Sequence, residues 1–229
     1  MCIFKKRSIT FGNYYTADYG WTLTGWKLSD PEQKTNYVEK PGGDGSWDLS
    51  TVTTDGVPRY KDRTLTVTLE CSEGTRDDRV ELISHMVNLL DGLEWEIILP
   101  DHPSHYIVGR LHVAEEYNTP AHAAVTVTGV CRPWLYRRQE TVVPLYHSLP
   151  YPSVHTLRNN GRLPVVPRIT VLETDEEGVG LSFGDRYVHV SLGVGVYEWP
   201  ELHLTPGAHE LRFVGKGKVN ITYREAVLR

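Results

Sequence analysis

The sequence predicts a mainly β protein with one helix: an α+β N-terminal domain, a β-sandwich with one packed helix, followed by a second, smaller β-sandwich. Three observations predict it. Short runs of β-branched and aromatic residues alternate with polar ones along most of the chain, cut by Gly, Pro, Asn and Asp. A single segment changes to helical period. Six of the 14 prolines fall between Pro133 and Pro167, a stretch that reads as a connection because each proline removes a backbone donor.

The clearest strand is residues 64–70, where Leu65, Val67 and Leu69 point to one face and Thr64, Thr66, Thr68 and Glu70 to the other. Residues 94–99, 106–113 and 123–131 read the same way. Between them, residues 75–91 carry Val80, Ile83, Val87 and Leu90 at helical spacing, widened by Leu82, Met86 and Leu89. Thr75 with Asp78 suits the helix start, Asp77 and Asp78 suit its positive end, and Gly92 suits its close. After the prolines come short strands at 168–172, 187–190, 195–199, 209–214 and 218–223, the pattern of a small sandwich. The expected division is therefore 1–135, a connection at 136–166 with strand contributions of its own, and 167–229.

Composition narrows the function classes. The 229 residues carry 24 Lys and Arg against 29 Asp and Glu, a net charge of −5, which argues against gripping phosphate backbones by bulk charge. No export signal opens the chain and no 18 apolar residues run together. Cys2, Cys71 and Cys131 lie far apart without CxxC spacing, which speaks against a disulfide framework or a thiolate zinc site. A soluble protein made in a reducing cytoplasm is expected.

Motifs for chemistry are weak. Gly180-Leu181-Ser182-Phe183-Gly184 satisfies G-x-S-x-G, but a strand signal follows instead of the helix a nucleophile elbow needs. His102, His105, His112 and Asp101 offer imidazoles and a carboxylate at loose spacing, and alternation makes His112 part of a wet strand face. Gly42-Gly43-Asp44-Gly45 lacks the following Lys-Ser/Thr of a phosphate cradle, and Asp44 with Asp48 lacks the further oxygen ligands of a calcium loop. Trp134, Tyr136, Arg137 and Arg138 bring together residue types common at interfaces and at domain hinges. No catalytic residue, metal or cofactor is expected, and the chain reads as a non-enzyme.

Two stretches carry a resemblance. Residues 38–50, with Pro41-Gly42-Gly43-Asp44-Gly45-Ser46-Trp47-Asp48-Leu49-Ser50, and residues 58–65, with Arg59-Tyr60 and Arg63, resemble the distal tail proteins (Dit) of long-tailed bacteriophages. Residues 106–110 and the strand leading to Cys131 and Pro133-Trp134 continue the match. The part from Asn159-Asn160-Gly161 to Tyr223 is similar to that family's galectin-like C-terminal sandwich. Gly43 and Trp47 depart from the Arg and aliphatic residue expected in many relatives.

The resemblance implies a structural part of the virion tail tip: a hexameric ring built by the N-terminal domain, with a hairpin extension, joining the tail tube to the baseplate or receptor-binding apparatus. DNA would cross the central channel without specific binding, and no membrane would be involved. Its expected partners are further copies of itself, the tail tube protein, a tail-associated fibre or lysin protein and receptor-binding proteins. Gly42, Gly43, Asp44, Gly45 and Trp47 are the expected subunit contacts, because an exposed Trp in a Gly-rich loop is a poor use of surface unless something covers it. The alternative is a carbohydrate-binding module for host-surface adhesion, in which Tyr187, Tyr197 and Trp199 would stack on sugars.

Overall fold

The computed structural model describes residues 8–52, 54, 56–148, 151–183, 186–200 and 202–229, and of 186–190 the backbone only. They form two compact units that divide between Pro133 and Trp134.

In the first unit β1 (Thr10–Phe11) and β2 (Tyr14–Tyr15) form a tight hairpin. Then β3 (Thr22–Leu28) runs into an arm bearing β4 (Tyr37–Glu39) and β5 (Ser46–Asp48), and the chain returns as β6 (Arg63–Cys71). Helix α1 (Arg76–Leu90), β7 (Glu94–Ile98), β8 (His105–Asn118) and β9 (Ala123–Cys131) complete the unit. Seven strands pair antiparallel in the order β2-β1-β7-β8-β9-β6-β3. Alternation decides what each face carries. Leu65, Val67 and Leu69 of β6, Leu111 and Val113 of β8 and Val127 of β9 are buried on the inner face. On the outer face Thr66 lies opposite Thr128, and Thr68 opposite Thr126. These threonines are only half-buried, the signature of a sheet with one wet side.

Helix α1 begins with a capping box: the Thr75 hydroxyl accepts from the Asp78 backbone N–H, and the Asp78 carboxylate accepts from the Thr75 N–H. It packs along β8. Its buried residues are Arg79, Ile83, Met86 and Leu90, so the stripe is turned by about one position from the one read in the sequence, and Val80 faces solvent. The reason is Arg79, whose guanidinium donates to the carbonyls of Gly74 (2.8 Å), Thr119 (2.7 Å) and Pro120 (3.0 Å). A cation satisfied this way can sit in a core position that hydropathy alone assigns to its apolar neighbour. Beyond the helix Gly92 takes φ 73°, the left-handed conformation that glycine adopts without strain.

The second unit contains β10 (Leu135–Arg137), β11 (Thr141–His147), β12 (Ser153–Asn159), β13 (Arg168–Thr174), β14 (Val179–Phe183), β15 (Arg186–Leu192), β16 (Gly195–Glu198), β17 (Gly207–Val214), β18 (Gly217–Tyr223) and β19 (Ala226–Val227). Two four-stranded antiparallel sheets, β11-β18-β13-β16 and β12-β17-β14-β15, enclose one apolar cluster that includes Leu157, Ile169, Leu181, Leu211, Phe213 and Ile221. The proline-dense stretch supplies two full strands, β11 and β12, each paired over seven residues. Pro144 is compatible with β11 because β11 is an edge strand, with no further strand to pair on its outer side. The Asn159-Asn160-Gly161 run has a structural task. Asn159 Nδ2 donates to the carbonyls of Leu163 and Leu204, and Asn160 donates to the buried Glu225 carboxylate, which also accepts from Arg137. At Gly161 any Cβ would stand 2.6 Å from the Ala226 carbonyl oxygen.

Candidate assembly surfaces

Among the described residues, the arm between β3 and β6 is a long segment that its own unit leaves uncovered. Its base is held by the Ser29 and Thr64 backbones, by the Ser29 hydroxyl accepting from the Thr64 N–H, and by Arg63 donating to the Ser29 carbonyl. The ladder continues through Gln33 opposite Tyr60 and the Lys61–Glu32 ion pair to the β4–β5 hairpin. At the tip the Lys40 N–H donates to the Gly45 carbonyl, and Gly45 takes φ 74°, so a side chain there would be strained. Asp48 accepts from Ser50, which holds its carboxyl below the usual range. Residues 32–39 and 41–49 are all exposed.

Pairing register sorts the arm's side chains. Val38 lies opposite Trp47, and the Leu49 N–H donates to the Asn36 carbonyl, so Val38, Trp47 and Leu49 share one face. Trp47 is 51% exposed, Val38 42% and Leu49 39%. Of the expected contact residues, Gly42, Gly43, Asp44 and Gly45 form the connecting tip and Trp47 projects from the returning strand. The sequence signal for Val38 and Leu49 was alternation with Trp47 across the turn.

A second surface escaped the reading of motifs. On the outer face of the first unit's sheet, a cleft of about 500 Å³ is lined by Thr64, Gly92, Arg110, His112, Thr128 and Val130, among others. Asp91 at its rim accepts from the Val113 backbone N–H at 2.9 Å and lies 2.7 Å from His112 Nδ1. Those bonds, the backbone one first, hold the Asp91 carboxyl below the usual range. The Arg110 guanidinium donates to the Gly92 carbonyl. Val130 is the anomaly: it sits in the row of threonines yet is apolar and 64% exposed. The alternation of β9 already places it on the wet side, and that was the available signal.

The remaining candidates lie elsewhere. In the second unit Tyr197 and Trp199 stack with ring centroids 5.6 Å apart, half-buried against the apolar cluster, and the Tyr197 hydroxyl donates to the Gly193 carbonyl. Tyr187 belongs to β15, and its side chain lies outside the described residues, as does Gly184. Ser182 sits within β14, paired with β15 and β17, not on a strand-to-helix turn. His105 pairs with Ser104, and His112 with Asp91. Among the described residues no three His, Cys, Asp or Glu side chains converge as a metal site.

No family model matches the chain, and no curated protein matches it. Among solved structures, it is similar to the Dit protein (gp 19.1) of phage SPP1, described as a paradigm of the hub adsorption apparatus in phages that infect Gram-positive bacteria. The likeness has a TM-score of 0.69 at 16% sequence identity and covers 95% of this chain and 98% of that one. Over nearly its whole length, then, the chain has the fold of a phage distal tail protein.

Proposed function

We propose that this chain is a structural component of the tail tip of a long-tailed bacteriophage. Six copies form a hub ring between the tail tube and the baseplate or receptor-binding apparatus, and DNA crosses the central channel. The observation that carries this reading is the arm, on a chain whose fold is that of a phage hub protein. An isolated two-stranded hairpin is at best marginally stable in water. One that also exposes Val38, Trp47 and Leu49 on one face is built to be covered.

Partners in this role are the tail tube protein on one side and a fibre, lysin or receptor-binding protein on the other. The chain would be made in the host cytoplasm and end in the virion. Immunogold labelling of intact virions tests the placement. Gold confined to the tail end remote from the capsid is expected, and labelling along the tail or on the capsid would overturn it.

A further inference from the structure

The first unit carries both a knob and a hole. The knob is the arm's apolar face, with Trp47 at its centre. The hole is the cleft beside Val130, whose volume of about 500 Å³ is ample for an indole ring and lies within the roughly 300–1,000 Å³ range of small-molecule pockets. We infer that Trp47 of one copy inserts into the Thr64–Val130 cleft of the next, so that each cleft is completed by its neighbour's arm. This pairing rests on the ring-forming role proposed above and assigns that role a specific contact.

Geometry says why the occupant is another copy. Thr64 lines the cleft and also anchors the base of the arm through the Ser29 hydroxyl. From Ser29 to Val38, Trp47's cross-strand partner, the arm runs nine residues, at most about 30 Å if fully extended. Trp47 is not among the residues that line the cleft of its own chain. A surface patch that matches a pocket elsewhere on the same molecule makes a heterologous contact, and heterologous contacts close into rings when the rotation permits.

Charge agrees with the match. Residues 29–62 hold seven carboxylates against four Lys and Arg. The cleft presents Arg110 and His112, with Asp91 already engaged by the Val113 N–H and by His112. Among the described residues Arg110 forms no ion pair; its guanidinium is bound to a carbonyl, so it can meet an acidic arm without breaking one. Buried aromatic anchors seated in pockets of this kind carry most of an interface's affinity.

The test is cysteine cross-linking of the full chain. Leu49→Cys, on the same face as Trp47 but leaving it in place, and Thr64→Cys are combined in one chain, oxidised, and compared with each single variant to account for the native thiols. A ladder of disulfide-linked multimers, absent from both single variants, is expected. In parallel, Val130→Arg places a charge in the cleft at an exposed position, and Trp47→Ala removes the knob. Each is expected to raise the concentration needed for assembly by at least about tenfold while leaving the melting temperature of the monomer unchanged. Rings that form normally in both variants, with no cross-link in the double variant, would overturn the pairing and leave the hub reading intact. A wild-type chain that stays monomeric at every concentration would overturn the pairing and count against self-assembly as well.

Discussion

Arg79 shows how much a single buried residue can organise. It is 1% exposed, and its four carbonyl partners, those of Glu73, Gly74, Thr119 and Pro120, bring together the segment before α1 and the β8–β9 connection. Arg79→Met keeps the volume but strips the donors, and should cost about 2–4 kcal/mol in a urea titration of the first unit's unfolding. A change below about 0.5 kcal/mol would mean that the guanidinium is incidental. Asp78 is held below its usual 3.8 by the Thr75 backbone N–H and then by the Thr75 hydroxyl. A carboxyl whose pKa falls on folding stabilises the native state above its unfolded value and loses that contribution as pH drops through its folded value. The melting temperature should therefore fall on acidification below about pH 4, and Asp78→Ala should flatten part of that limb. Burial pushes the Cys131 thiol up to about 12. Iodoacetamide at pH 8 should leave Cys131 unmodified in the folded protein and alkylate it once the chain is unfolded; labelling at equal rates in both states would contradict its placement.

At the scale of elements, the arm separates stability from assembly. Its strands bury almost nothing within their own unit, so replacing residues 36–49 by a short Gly-Ser turn should shift the unit's stability by less than about 1 kcal/mol while abolishing multimers in light scattering. A large loss of stability would show that the arm contributes to the core. The legible elements were those whose hydropathy follows one rule. Leu65, Val67 and Leu69 alternate strictly with threonines, and β6 runs through them as expected. Helix α1 was legible in place and caps, but not in rotation, because two of the Arg79 partners, Thr119 and Pro120, lie 40 and 41 positions away. Strand β11 was obscured by Pro144, which an edge strand accommodates, and β12 by Pro150 and Pro152 just before it.

At the scale of the molecule, two β-rich units are expected from the strand spacing; the chain divides between Pro133 and Trp134, and residues 136–166, read as a connection, belong to the second unit and supply β11 and β12. The candidate contact was legible in half. An exposed Trp47 flanked by glycines is visible in the sequence, whereas the cleft exists only once α1 delivers Asp91 and Gly92 beside β8 and β9. Pockets assembled from four distant segments leave no local pattern, and Val130 among threonines is the one trace of it.

The central claim is that this chain closes on itself into a ring with an open centre. Its most direct test is the solution mass of the purified 26.0 kDa protein by light scattering across a range of concentrations, with negative-stain images of the same sample. A species of six subunit masses that images as rings with a central hole is the predicted result. Linear filaments, closed particles without a channel, or a 26.0 kDa monomer that persists at the highest concentrations would contradict it.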